Sequence, residues 1–207
     1  ASPGKKMFII LLQLGMLAYV LLIIYPLFNM VMSSFKSTRD IMLRPFSLPE
    51  SFSFENYVTI WVDKGFGRYF LNSLLVAALS AVLSIYFSAL TAFGIHAYRF
   101  KGRALALTFI LLIMTMPTQV SALGFVQLMG KMNLKDSLLP LFLPSIASPA
   151  VFYFMYQYMQ ASLPLEVIEA ARIDGSSEFG TFNRIVLPMI KPALAVQAIF
   201  TLSLIHI

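Results

Sequence analysis

The stretch Glu169-Ala170-Ala171-Arg172-Ile173-Asp174-Gly175, followed nine residues later by Ile185-Val186-Leu187-Pro188, is a charged island between two apolar stretches. Pro164 suits the first turn of a helix, and Glu166 stands where the helix dipole favours an anion. Gly175 supplies the left-handed stop that other residues resist, so a short helix ends at the glycine. Ser176 or Ser177 can cap a second helix, in which Phe179, Phe182 and Val186 recur at three- and four-residue spacing before Pro188 discourages continuation. The spacing predicts helix, sharp turn, helix.

Outward from the island the chain is too apolar for a soluble domain. Of its 207 residues 59% are hydrophobic and 12% charged, where a soluble domain carries about a quarter charged residues, and its mean hydropathy is +0.82. Runs free of Asp, Glu, Lys and Arg extend from Met7 to Phe35, Tyr69 to Tyr98, Ala104 to Gly130, Ser137 to Leu165 and Pro192 to the end. A spanning helix needs about 20 mostly apolar residues. The reading is an all-α integral membrane protein with four complete spans and the start of a fifth.

The fifteen Lys and Arg give a net charge of +6, but they are spread among the loops and do not gather on one basic face, which argues against nucleic acid. Their placement speaks to topology instead. Lys5 and Lys6 precede the first span, and Arg99, Lys101 and Arg103 crowd the turn between the second and third, which puts the N-terminus and that turn in the cytoplasm. The island then also faces the cytoplasm. The segment from Ser33 to Arg68 falls outside, where Lys36, Arg39, Arg44, Lys64 and Arg68 are diluted by Asp40, Glu50, Glu55 and Asp63. Residues 5 to 32 are too long for a signal peptide and lack a small-x-small cleavage site, so they read as a retained helix.

The chain has no cysteine, hence no disulfide framework or cysteine-based metal site, and no metal is expected. Of the two histidines, His96 near the inner end of the second span reads as a packing or interfacial residue, and His206 belongs to the chain's last residues. The organisation expected is an N-terminal helix and extracytoplasmic loop over 1–67, followed by a membrane core over 68–207 that contains the loop 161–191. Within the outer loop, Pro45, Pro49 and the run from Phe52 to Tyr57 suggest an ordered surface segment with turns.

Ala77, Ala81, Ser84 and Ser88 form a small-residue stripe that lets helices approach closely in lipid, while Ser80, Ser84 and Ser88, spaced by four, offer a second reading as a polar path for a hydroxyl-rich solute. Pro117 should break the hydrogen-bond ladder of the third span and bend it, and Pro140, Pro144 and Pro149 should make the outer end of the fourth irregular. No ionisable Asp, Glu, Lys or Arg lies in the apolar runs, unlike ion- or proton-driven transporters, and no G-x-x-x-x-G-K-[ST] phosphate loop is present. Energy is therefore expected from another chain.

Glu-Ala-Ala, three residues, Gly, nine residues and Ile-x-Leu-Pro resemble the EAA loop of binding-protein-dependent ABC importers. Pro26, Ser34-Phe35-Lys36, Glu55-Asn56-Tyr57, Tyr69-Phe70-Leu71-Asn72-Ser73 and Arg99-Phe100-Lys101-Gly102-Arg103 extend the resemblance to the carbohydrate branch, in the subunit type of the maltose transporter's G subunit. The resemblance implies a type I ABC importer permease bundle, with about five of its six transmembrane helices present in the cell (inner) membrane. The chain departs from the family after Thr201, where a 16-residue apolar run from Pro192 falls short of a span and suggests a fragment, as does Ala1 in place of Met.

The implied partners are a second homologous permease subunit, two copies of a cytoplasmic ABC ATPase, an extracytoplasmic solute-binding protein and membrane lipid. The implied function is ATP-driven import of a sugar or oligosaccharide, with ATP used by the partner subunit and no cofactor or catalytic residue in this chain. The ATPase-coupling residues implied are Glu169, Ala170, Ala171, Asp174, Gly175, Ile185, Leu187 and Pro188. For Glu169 the competing reading is a helix-internal pair with Arg172 at i, i+3. The competing functions are import of a non-sugar solute such as a polyamine or phosphate ester, and a non-transporting scaffold or sensor; substrate-binding residues are not legible.

Overall fold

The computed structural model of the chain describes residues 3–205; His206 and Ala1 lie outside them. Every regular element among the described residues is helical. Contacts divide the chain into a unit that ends at Phe70 and a second that begins at Leu71.

The first unit is dominated by α1 (Pro3–Ser33), whose residues 4–28 are all exposed. A helix this uniformly apolar belongs in lipid, where Pro26 is tolerated inside it. Beyond it, α2 (Thr38–Leu43), α3 (Glu55–Val58) and a π-helical turn (Thr59–Asp63) punctuate the outer loop. The loop is ordered, as its prolines and aromatics predict. Asn56 Nδ2 donates to the carbonyls of Ser34 (2.9 Å) and Lys36 (2.8 Å), while the Phe35 ring meets those of Phe52, Phe54 and Tyr57 at 5.4–5.6 Å. The buried Lys36 ammonium donates to the Arg44 carbonyl and the Ser47 hydroxyl.

The second unit begins within α4 (Phe66–Ala97), the longest of its helices. The small-residue stripe faces protein: Ala77, Ser80, Ala81, Ser84 and Ser88 are all buried. After the Arg99–Gly102 turn come α5 (Arg103–Met114) and α6 (Thr118–Lys131). The chain then forms α7 (Leu139–Phe142), a 3-10 turn (Leu143–Ala147) and α8 (Pro149–Ser162), the irregular approach that three prolines predict. The core joins α4 to α8 through Ala89, Ala92 and Phe93 on one side and Phe152, Met155 and Met159 on the other.

Among the described residues three helical stretches are long and apolar enough to cross a membrane, namely Gly4–Ser33, Phe66–Ala97 and Leu139–Ser162, or up to five with two sharply bent pairs. The third expected span is one of those pairs. It breaks and bends at Pro117 as expected, into two helices that meet at 97°. Pro117 adopts an extended ψ of 123° and caps α6, so the ladder is interrupted outright and not merely kinked. The second pair, Glu178–Met189 with Lys191–Ser203, turns by 79°.

Candidate functional site at the helical hairpin

Between α8 and the apolar helix α12 (Lys191–Ile205) lies the predicted hairpin. Its first arm is α9 (Leu165–Ile173), with Pro164 at the N-cap, one residue outside the first turn, and Glu166 in that turn. Ile168 and Ala171 are buried against the core, while Glu169 and Ala170 are exposed on the other face. The arm ends as a Schellman motif: Ser176 N donates to the Ala171 carbonyl (2.9 Å) and Gly175 N to that of Arg172 (3.1 Å), with Gly175 at φ +77°.

The second arm starts at Ser177, whose Oγ accepts from Gly180 N at 3.1 Å; of the two serines considered, this is the cap. It comprises α10 (Glu178–Thr181), a π-helical turn (Phe182–Val186) and α11 (Leu187–Met189). Pro188 therefore does not end the helix where its sequence position suggests. Leu187 N donates to Phe182 O in the π pattern, so the ladder is already offset by one residue, and the ring and missing N–H of Pro188 are accommodated behind that offset. The chain breaks two residues later, at Ile190.

Phe182 and Val186 are fully buried, as their spacing predicts. Phe179 is not: it is 64% exposed, because it occupies the outermost turn, beyond the α4 rings that cover Phe182. The Phe182 ring stands 5.4 Å from Phe93 and 5.7 Å from Tyr86, contacts of about 0.5–1.5 kcal/mol each beyond simple burial. The Tyr86 hydroxyl also donates to Asn183 Oδ1 at 3.2 Å. The hairpin is thus fastened into the bundle along its second arm.

A charge clamp joins the two arms. Arg172 donates through Nε (2.6 Å) and through its Nη2 (3.2 Å) to the two carboxylate oxygens of Glu178, and its guanidinium lies 5.2 Å from the centre of the Tyr98 ring. Hydrogen bonding to Glu178 pushes the Arg172 pKa up, and the same bond holds the Glu178 carboxyl below its ordinary value. Burial, then the nearby Glu178, pushes the Tyr98 phenol up. The sequence-level pairing of Glu169 with Arg172 is not formed; Glu169 has no ion-pair partner among the described residues. The Gly175 turn swings Glu178 toward Arg172, and the Tyr98 ring holds the guanidinium on that side.

Behind the clamp is a cavity of about 790 Å³, bounded by the end of α4, the start of α5, the end of α8 and α9. His96 lines it, with Nε2 3.0 Å from the Leu163 carbonyl oxygen, and so is a tie between elements and more than a packing residue. Of the eight candidate residues, Glu169, Ala170, Asp174 and Gly175 are exposed on the first arm and its turn, Glu169 on the wall of this cavity, and Ala171 is a core residue. Ile185 and Leu187 are half-buried, Leu187 against the core, and Pro188 is exposed on the second arm. Sequence reasoning missed Ile173, an apolar side chain 87% exposed at the tip of the hairpin. Its place directly before Asp174-Gly175, past the last buried turn of α9, is the signal that could have found it.

Residues 84–206 match the family described as binding-protein-dependent transport system inner membrane component. Across 203 residues, 97% of this chain and 67% of the relative, the chain is 34% identical to the diacetylchitobiose uptake system permease protein of Streptomyces coelicolor. It is 33% identical over 202 residues (96% of this chain, 72% of the relative) to the arabinooligosaccharides transport system permease protein of Bacillus subtilis. The sn-glycerol-3-phosphate transport system permease protein of Salmonella choleraesuis is 33% identical over 194 residues, 90% of this chain and 68% of the relative.

Proposed function

Because the chain belongs to the family of binding-protein-dependent transport system inner membrane components, a family of membrane transport subunits and not of enzymes, we propose that it forms part of the translocation path of an ATP-driven importer for a sugar or oligosaccharide. Relatives named for diacetylchitobiose and arabinooligosaccharides support that cargo class. The partners proposed are a second permease subunit of the same kind, two ATPase chains and an extracytoplasmic binding protein. Positive charge at Lys5, Lys6, Arg99, Lys101 and Arg103 supports a cytoplasmic N-terminus and a cytoplasmic hairpin.

The hairpin is the proposed docking point for the ATPase. The observation that carries this role is the exposure of Ile173 (87%) and Phe179 (64%) on either side of the Gly175 turn, on a hairpin whose other side is locked into the bundle by Ile168, Phe182 and Val186. Exposed apolar side chains on an otherwise polar hairpin are the kind of group a partner would cover. Rigid attachment then allows movement of that partner to reach α4 and α8. Glu169, exposed and free of an ion pair among the described residues, supplies a charge for a complementary cation on the ATPase.

Two substitutions test the role. Glu169→Lys in the assembled complex should abolish solute-stimulated ATP hydrolysis while the helical content stays unchanged; normal stimulation would sink the proposal. Since the chain has no cysteine, Ile173→Cys gives a single reporter that should crosslink to the ATPase and not to the other permease subunit. A second cargo reading is favoured by the relative named for sn-glycerol-3-phosphate. Thermal-shift screening of the cognate binding protein with saccharides and phosphate esters separates the two, because stabilisation follows ligand affinity.

A further inference from the structure

The cavity behind the clamp sits where several apolar elements end. His96 and Ala97 close α4, Arg103 opens α5, and Gln160 stands two residues before the end of α8; all four line it. The shared ending of spanning elements marks the level at which hydrocarbon gives way to headgroups. Arg99 and Arg103 also line the cavity, Arg99 exposed and Arg103 half-buried, and neither has an ion-pair partner among the described residues. Arg172 and Glu178 neutralise each other. Two guanidiniums then face one carboxylate, Glu169, which leaves a positive surplus.

Volume and chemistry narrow the occupant. About 790 Å³ is room for a whole small ligand and far more than one inorganic anion requires. Guanidinium groups bind phosphate through paired donors, and His96 and Gln160 add polar groups on the same wall. Basic pockets between spanning helices on the cytoplasmic side suit acidic lipid headgroups. We propose that this cavity binds the phosphate headgroup of an anionic phospholipid, held by Arg99 and Arg103. The proposal rests on the cytoplasmic orientation read above and shares Glu169 with the proposed ATPase dock, but the identity of the cargo does not enter it. Since α9 forms one wall and the α4–α5 turn another, an occupied cavity braces the hairpin against the ends of the spans.

Native mass spectrometry of the assembled complex, supplied with equal amounts of phosphatidylglycerol and phosphatidylcholine, tests the proposal. Phosphatidylglycerol should be retained in preference, and Arg99→Gln with Arg103→Gln should lower its retention by about fivefold or more. Lys101→Gln is the control, as Lys101 shares the turn but does not line the cavity, and it should retain the lipid. Arg99→Lys with Arg103→Lys keeps the charge but not the paired donors and should retain the lipid at a level between the wild type and the glutamine variant, which separates lost binding from lost folding. Equal loss in Lys101→Gln would reduce the effect to general surface charge and overturn the site. Displacement of the lipid by millimolar inorganic phosphate would reassign the cavity to a free anion, and release of the ATPase chains with lipid retention unchanged would reassign the arginines to that partner; either result overturns the proposal.

Discussion

His96 Nε2 lies 3.0 Å from the carbonyl oxygen of Leu163, a residue 67 positions away in the chain. The carbonyl can only accept, so Nε2 carries the proton. Leu163 is buried between the end of α8 and the Pro164 cap of α9, where neither helix supplies a donor for its oxygen. The histidine thereby fastens α4 to the joint from which the hairpin departs. His96→Ala should leave a buried acceptor unpaired, at a cost of about 1–3 kcal/mol. A lower thermal midpoint for the complex and weaker solute-stimulated ATP hydrolysis are expected, with His96→Gln closer to wild type. Identical melting of the alanine variant would show that the bond does not matter to the fold.

Gly175 holds φ +77°, and an added Cβ would meet no atom within 4 Å, so any penalty at this position is conformational and not steric. Left-handed backbone costs an ordinary residue about 1–2 kcal/mol, more when β-branched and less for Asn. The expected order of coupling is therefore Gly, then Asn, then Ala, then Val. The ratio of solute-stimulated to basal ATP hydrolysis across the wild type and the three variants reads it directly, and equal ratios for Gly175→Val and Gly175→Asn would contradict the turn.

The Arg172–Glu178 clamp makes a prediction about acid. Arg172 holds the Glu178 carboxyl below its ordinary value, so the clamp's contribution to stability is fully present above the unfolded carboxylate pKa of about 4.3 and is lost as pH falls through the depressed native value. Both side chains are partly exposed, 34% and 41%, which limits the pair to about 1 kcal/mol or less. A double-substitution cycle with Arg172→Gln and Glu178→Gln should give that coupling at pH 7 and none once the carboxyl is protonated. Coupling that persists unchanged in acid would mean that the charge is not the source.

Features decided within a few residues were legible in the sequence, and features decided across the fold were not. The apolar runs, the Gly175 stop, the break at Pro117 and the irregular approach to α8 each follow from local backbone chemistry. The partner of Arg172 does not: it depends on where the turn delivers Glu178 and on Tyr98, the residue after α4. Likewise, periodicity marks Phe182 and Val186 as inward but cannot show that the α4 rings stop short of Phe179. Pro188 misleads because the π turn before it is not written in any residue preference.

Ser80 decides between the two readings of the α4 serines. Its hydroxyl is buried and has no hydrogen-bond partner among the described residues, whereas Ser88 Oγ reaches the Ser148 carbonyl at 3.4 Å. An unpaired buried hydroxyl is a cost without a return if the stripe serves only close packing. Ser80→Ala should then raise stability by a fraction of a kcal/mol up to about 1 kcal/mol and leave transport intact, because alanine fits the same small-residue contact. If the hydroxyl serves a passing solute, the same change should lower the transport rate at unchanged ATPase assembly. Thermal unfolding and solute uptake in proteoliposomes, measured on one preparation, assign Ser80 to the packing or to the path.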